Sequence, residues 1–126
     1  MWFVRLNKGE ATMSEVSFIE MGSIAPEKTS HFFAALLGWT FHPIASQASP
    51  GGGWFETSTG GKVGLHGNDG AGAVLYFRVE NMESAVAQVR ALGGSAEDTI
   101  ADEPGFGRFC NCADPQGLRF GLHQLA

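Results

Sequence analysis

Two stretches of alternating apolar and small or polar residues are near copies of one another. Gly61-Lys62-Val63-Gly64-Leu65-His66-Gly67 and Gly117-Leu118-Arg119-Phe120-Gly121-Leu122-His123-Gln124 both carry Gly-Leu-His after an apolar residue, 57 residues apart. A spacing of nearly half the chain points to two copies of one supersecondary unit. The alternation predicts strands, with Gly64 and His66 on one face of the first copy and Gly121 and His123 on one face of the second. Elsewhere in the first half, residues 16–21 alternate as a strand, Val16, Phe18 and Glu20 facing one way and Ser17, Ile19 and Met21 the other. Pro26 suits a first helical turn, Phe32, Phe33, Leu36 and Leu37 form an apolar stripe, and Gly38 is a stop. Strands follow at 39–44, 54–57 and 62–66, with a Ser/Gly/Pro-rich loop at 45–53 and a turn at 58–61.

The second half repeats that order after a polar link at 68–72. Residues 74–79 are a strand, and Asn81 is a helix N-cap. Met82, Ala85, Val86, Val89 and Leu92 fall on one helical stripe that Gly93-Gly94 ends. A strand is predicted at 95–100, a turn at 104–107 and a strand at 108–112. Asp114-Pro115-Gln116-Gly117 is a turn into the last strand. Each half therefore reads β-α-β-β-β, an α+β arrangement. Modules are expected at about 14–68 and 73–126 of a single domain, with 1–13 as an N-terminal extension and Met13 as the start of the domain proper.

Composition narrows the partners. A net charge of −5 argues against a nucleic-acid partner, which needs a basic face. Glu97, Asp98, Asp102 and Glu103 read as a solvated hairpin. Cys110 and Cys112 are spaced CxC, unsuited to an ordinary disulfide, and read as reduced thiols of a cytoplasmic protein. Met1-Trp2-Phe3-Val4 is followed at once by Arg5, Asn7 and Lys8, so no signal peptide or membrane partner is expected. Gly51-Gly52-Gly53 lacks the Lys-Ser/Thr of a phosphate loop, and no nucleophile elbow is present. Trp39, Trp54, Phe55 and Phe106 are expected in the core or, for one or two of them, on the wall of a cavity where they would stack on a flat ligand; His31 is expected on an exposed helix face, and His42 on a strand edge without an evident partner.

Particular motifs go further. Phe32-Phe33-Ala34-Ala35-Leu36-Leu37-Gly38-Trp39 resembles the "FY..LFGW" helix end of the vicinal-oxygen-chelate superfamily, which holds glyoxalase I, the bleomycin-resistance proteins and the extradiol dioxygenases. Phe18-Ile19-Glu20-Met21 resembles the strand before it. Ala91-Leu92-Gly93-Gly94, the run at 105–108, and Asp114-Pro115-Gln116-Gly117 resemble its second half. The resemblance implies two βαβββ modules packed edge to edge into a half-open barrel around a small-molecule cavity, and a homodimer. It also implies metal ligands on the first and last strands of each module, at Phe18, Gly64, Val74 and Gly121. None of those four side chains can ligate a metal.

Two residues further along each strand stand Glu20, His66, Tyr76 and His123, on the same faces. The expected function is therefore a glyoxalase-like protein without the usual metal ligands or any other cofactor, binding a small, partly apolar molecule. Tyr76, Arg78, Phe18 and Trp54 would be ligand-binding residues. The alternative is a lyase, isomerase or dioxygenase-like enzyme in which Glu20, His66 and His123 act as an acid–base set or a displaced divalent-metal site.

Overall fold

A computed structural model describes residues 15–45, 50–67 and 70–126. The expected extension and the Met13 start lie outside the described residues, as do 46–49 of the predicted loop and 68–69 of the link. The chain divides into two compact units. The first module is Phe18–Leu75; the second is Tyr76–Ala126 together with residues 15–17.

In the first module, β1 (Val16–Ser23) leads to α1 (Pro26–Leu37), then β2 (Thr40–Pro43), β3 (Gly53–Glu56) and β4 (Lys62–Gly67). The sheet order is β2-β3-β4-β1, with β1 and β4 parallel. Pro26 opens α1 as predicted, and Gly38 ends it with φ 70°, donating its N–H to the Ala34 carbonyl. One sheet face is covered by α1. There Phe55 is fully buried, its ring 5.1 Å from Phe41, 5.6 Å from Trp39 and 6.1 Å from Phe33. The predicted helical stripe needs correction, because Phe32, Leu36 and Leu37 are exposed and Phe33 makes the sheet contact. Four apolar residues at i, i+1, i+4 and i+5 span a wider arc than one sheet face can cover, so most of the stripe is left to solvent.

In the second module, β5 (Gly72–Arg78) is followed by α2 (Met82–Ala91), β6 (Ser95–Ala96), β7 (Ala101–Glu103), β8 (Gly107–Ala113) and β9 (Arg119–Leu125). The order is β5-β9-β8-β6, with β7 also on β8 and β5 parallel to β9. Asn81 caps α2 as predicted, accepting from the Ser84 N–H at 2.9 Å. Asp114 Oδ1 accepts the N–H groups of Gln116 and Leu118, the side-chain turn that starts β9. Leu92 is a correction: it caps α2 and is 75% exposed, because the helix ends one residue before it.

The strand predicted at 95–100 is also corrected. It shortens to β6, and β7 forms separately. Arg90 reaches across and donates to the Ala96 and Glu97 carbonyls, taking up acceptors that a longer strand would use. Arg108 grips Glu83 with a two-pronged pair that ties β8 to α2 and holds the Glu83 carboxyl down at about 2.

Under α2 lies the core of the module: Met82, Val86, Cys110, Cys112 and Leu122. The two thiols are free and buried, so burial, reinforced by the neighbouring Cys110, pushes Cys112 up to about 12. Its folded value lies above the ordinary thiol value near 9, so the folded chain keeps a proton the unfolded chain loses. Stability from this group is therefore full below pH 9 and declines as pH rises toward 12. Urea midpoints measured between pH 8 and 11 should fall with pH, and less so in Cys112→Ala. At pH 8 both cysteines should resist iodoacetamide until the chain is unfolded.

Candidate functional site

The face of each sheet opposite its helix carries several polar side chains and some of the aromatic ones, and strand register decides which of them meet. In the first module Glu20 pairs with Gly64 and Gly22 with His66. In the second, Tyr76 pairs with Gly121 and Arg78 with His123. The repeat seen in the sequence is thus the same construction twice: the last strand offers a glycine, and the first strand lays a large side chain across it.

Those two glycines differ in how tightly they are used. A Cβ at Gly64 would sit 3.3 Å from Glu20 Cγ, a contact relieved by a shift of a few tenths of an ångström. A Cβ at Gly121 would sit 2.1 Å from the Tyr76 ring. Tyr76 is 5% exposed, and its hydroxyl donates to Asn111 Oδ1, directly across β9 from it. The ring cannot shift without giving up that bond.

His123 is 3% exposed and hydrogen-bonded at both nitrogens. Nε2 lies 2.8 Å from the Phe106 carbonyl oxygen, which only accepts, so Nε2 carries a proton. In the neutral ring Nδ1 then holds the lone pair, 2.6 Å from the Ser17 hydroxyl, which donates to it. The Phe106 ring stacks on the imidazole at 4.2 Å. Phe109, opposite His123 on β8, meets the Tyr76 and Phe106 rings edge-on.

In the first module, Phe18, Glu20, Trp54 and His66 share the helix-free face by alternation and register. Trp54 belongs there, which corrects its placement in the core. His42 stacks on its ring at 4.1 Å, and the Lys62 ammonium lies 4.8 Å from its centroid. His42 also has the partner the sequence did not disclose, Glu56, at 3.1 Å. Phe106 likewise leaves the core to sit over His123. Trp39 and Phe55 are where they were expected, and His31 is exposed.

Sequence reasoning therefore gathered Phe18, Glu20, Trp54 and His66 in one module and Tyr76, Arg78 and His123 in the other. It missed Ser17 and Asn111. Asn111 was findable: counting back through the Asp114 hairpin places it opposite Gly121. Ser17 carried no signal, since alternation assigns it to the face with Ile19 and Met21.

At the positions where the resemblance implies metal ligands, Phe18, Gly64, Val74 and Gly121, the side chains offer no ligand atom, and Glu20 and Tyr76 lie over the two glycines. Among the described residues no group of three or more His, Cys, Asp or Glu side chains is placed to hold a metal ion.

Comparison with known proteins places the chain. A family model for the glyoxalase-like domain matches residues 20–123. The chain belongs to the glyoxalase-like domain family. This family lies within the vicinal-oxygen-chelate superfamily that the helix-end motif pointed to. No functionally curated protein matches the chain in sequence.

Solved structures that resemble this glyoxalase-like protein include a methylmalonyl-CoA epimerase from Mycobacterium tuberculosis. That pair has 13% identity and a TM-score of 0.72, covering 93% of this chain and 91% of the other. A Streptomyces coelicolor methylmalonyl-CoA epimerase in complex with 2-nitronate-propionyl-CoA has 18% identity and a TM-score of 0.67, covering 91% and 99%. Homoprotocatechuate 2,3-dioxygenase from Brevibacterium fuscum has 17% identity and a TM-score of 0.68, covering 90% of this chain and 37% of that one. At such identities the likeness shows the α+β glyoxalase fold and leaves the chemistry to this chain's own residues. Among the described residues, no helix of this glyoxalase-like protein is long and apolar enough to cross a membrane.

Proposed function

We propose that this glyoxalase-like protein binds a small, partly apolar organic molecule on the helix-free faces of its sheets, without the metal centre used by metal-dependent relatives. One observation supports this reading above the others. At Gly64 and Gly121 the end strands give up a ligating side chain, and the freed space is taken by Glu20 and by the Tyr76 ring. What is left is a surface of aromatic rings with a few oriented polar groups, the composition of an organic-ligand site. Burial of apolar ligand area would contribute about 25 cal/mol per Å² before ordering costs.

A second reading, an acid–base lyase or isomerase using Glu20, His66 and His123, is favoured by one feature. Ser17, His123 and the Phe106 carbonyl form a hydroxyl–imidazole–orienter chain of the kind general acid–base catalysis uses. A thermal-shift screen of small aromatic and carbonyl compounds, run with EDTA and again with Zn²⁺, Mn²⁺ or Fe²⁺, tests the first reading. Stabilisation by ligand in EDTA is expected, about 3 kcal/mol at a hundred times Kd. Stabilisation only when metal is added would overturn it. Turnover of a stabilising compound that is lost in Glu20→Gln, with binding kept, would replace it by the second.

A further inference from the structure

We infer that the ligand is an organic carboxylate on an aromatic or otherwise apolar body, and that Arg78 is the residue that recognises its charge. This rests on the binding reading above and narrows it to a chemical class. A guanidinium is charged at any ordinary pH and presents a planar fork that matches the two oxygens of a carboxylate.

Arg78 is held on the helix-free face of the second module by its place opposite His123 in the β5–β9 register. Its side chain is only 31% exposed, yet among the described residues it is poorly satisfied. Its ion-pair partner there is Glu15, with Oε2 3.9 Å from one terminal nitrogen, on a side chain 74% exposed. A pair that long and that solvated contributes little. The Nε of Arg78 is closed off from water and has no hydrogen-bond partner among the described residues.

Other arginines of the module are used differently. Arg108 has its fork on Glu83, and Arg90 donates to two carbonyls and lies 3.5 Å from Asp98. A shielded N–H donor without an acceptor is unfavourable, so Arg78 stands in a state that a well-placed acceptor would relieve. Binding would exchange the long, solvated Glu15 pair for the ligand's carboxylate. The neighbouring surface suits the rest of such a ligand. Phe109 continues the Arg78–His123 row on β8, and the Phe106 ring meets it edge-on at 5.9 Å. The charge of the whole chain is −5, so attraction of an anion must be local to this residue.

Isothermal titration of the full chain with benzoate and phenylacetate, and with benzamide and phenylacetamide as neutral isosteres, decides the matter. The carboxylates should bind at least about 10-fold more tightly than their amides. Arg78→Gln should level the two series, and Arg78→Lys should keep part of the preference, because it retains charge without the fork. Glu15→Gln should tighten the carboxylates by roughly 2-fold and leave the amides unchanged. Equal binding of acids and amides by the unaltered protein, or a preference that survives in both Arg78 variants, would overturn the inference while leaving the binding reading intact. Binding of neither series would remove the inference, while the metal-free screen above would still judge the broader reading on other compounds.

Discussion

Gly121→Ala should lower the melting temperature of this protein by roughly 10 °C, an expected loss of about 3 kcal/mol, and displace the ring of Tyr76. The added methyl would lie 2.1 Å from two ring carbons of Tyr76, well inside contact distance. Relief requires movement of the ring, and the ring is held. It is buried, its hydroxyl is bonded to Asn111, and Phe109 abuts it edge-on. The strain therefore has no inexpensive outlet, which is the usual origin of large overpacking effects.

Tyr76 is the only tyrosine in the chain, so 3-fluorotyrosine labelling gives a single ¹⁹F resonance that reports its position. That resonance should shift or broaden in Gly121→Ala. The corresponding change at the other copy of the repeat, Gly64→Ala, should alter stability by less than about 1 kcal/mol, since its methyl needs only a few tenths of an ångström from the Glu20 side chain. Equal losses at the two glycines would show that the Tyr76 ring is not what makes Gly121 necessary. A double variant with Tyr76→Ala should lose less than the sum of the single losses, the signature of a direct clash.

His123→Ala is expected to be comparably damaging, at about 3 kcal/mol, although the residue is polar and stands on the face assigned to ligand binding. Three contributions disappear together. The ring leaves a cavity under Phe106, the Ser17 hydroxyl loses its acceptor, and the Phe106 carbonyl loses its donor. Ser17→Ala removes only one hydrogen bond and should cost about 1 kcal/mol. Urea denaturation followed by tryptophan fluorescence measures both. A His123→Ala protein as stable as the unaltered chain would mean that the imidazole is not built into the fold, and the orienting role given to Phe106 would fall with it. The prediction also bears on function. A histidine engaged at both nitrogens can pass a proton to or from Ser17, but it can ligate a metal only by giving up a bond.

How far the sequence reached can be judged residue by residue. Pro26, Gly38 and Asn81 marked helix ends by local backbone chemistry, and that chemistry depends on neighbours within a few positions. The repeated Gly-Leu-His strands announced the duplication for a related reason: period-two alternation is a property of the strand itself. The FFAALLGW helix end pointed to the superfamily, and the family match over 20–123 shows it. Failures occurred where a contact distant in sequence outweighed a local pattern. Arg90, from the helix before it, takes the carbonyls of Ala96 and Glu97 where the 95–100 strand was expected to run on, and only the packing with His42 and Lys62 decided between the two readings of Trp54.

By itself, then, the sequence determined the α+β order of elements, the duplication and the lack of metal-ligating side chains at Phe18, Gly64, Val74 and Gly121. Each of these is carried by residue type and short-range spacing. Only the tertiary structure decided what occupies the room those glycines leave, that His123 is tied to Ser17 and Phe106, and that Arg78 is poorly satisfied among the described residues. Those facts depend on register and side-chain packing between strands far apart in the chain, and no local pattern encodes them.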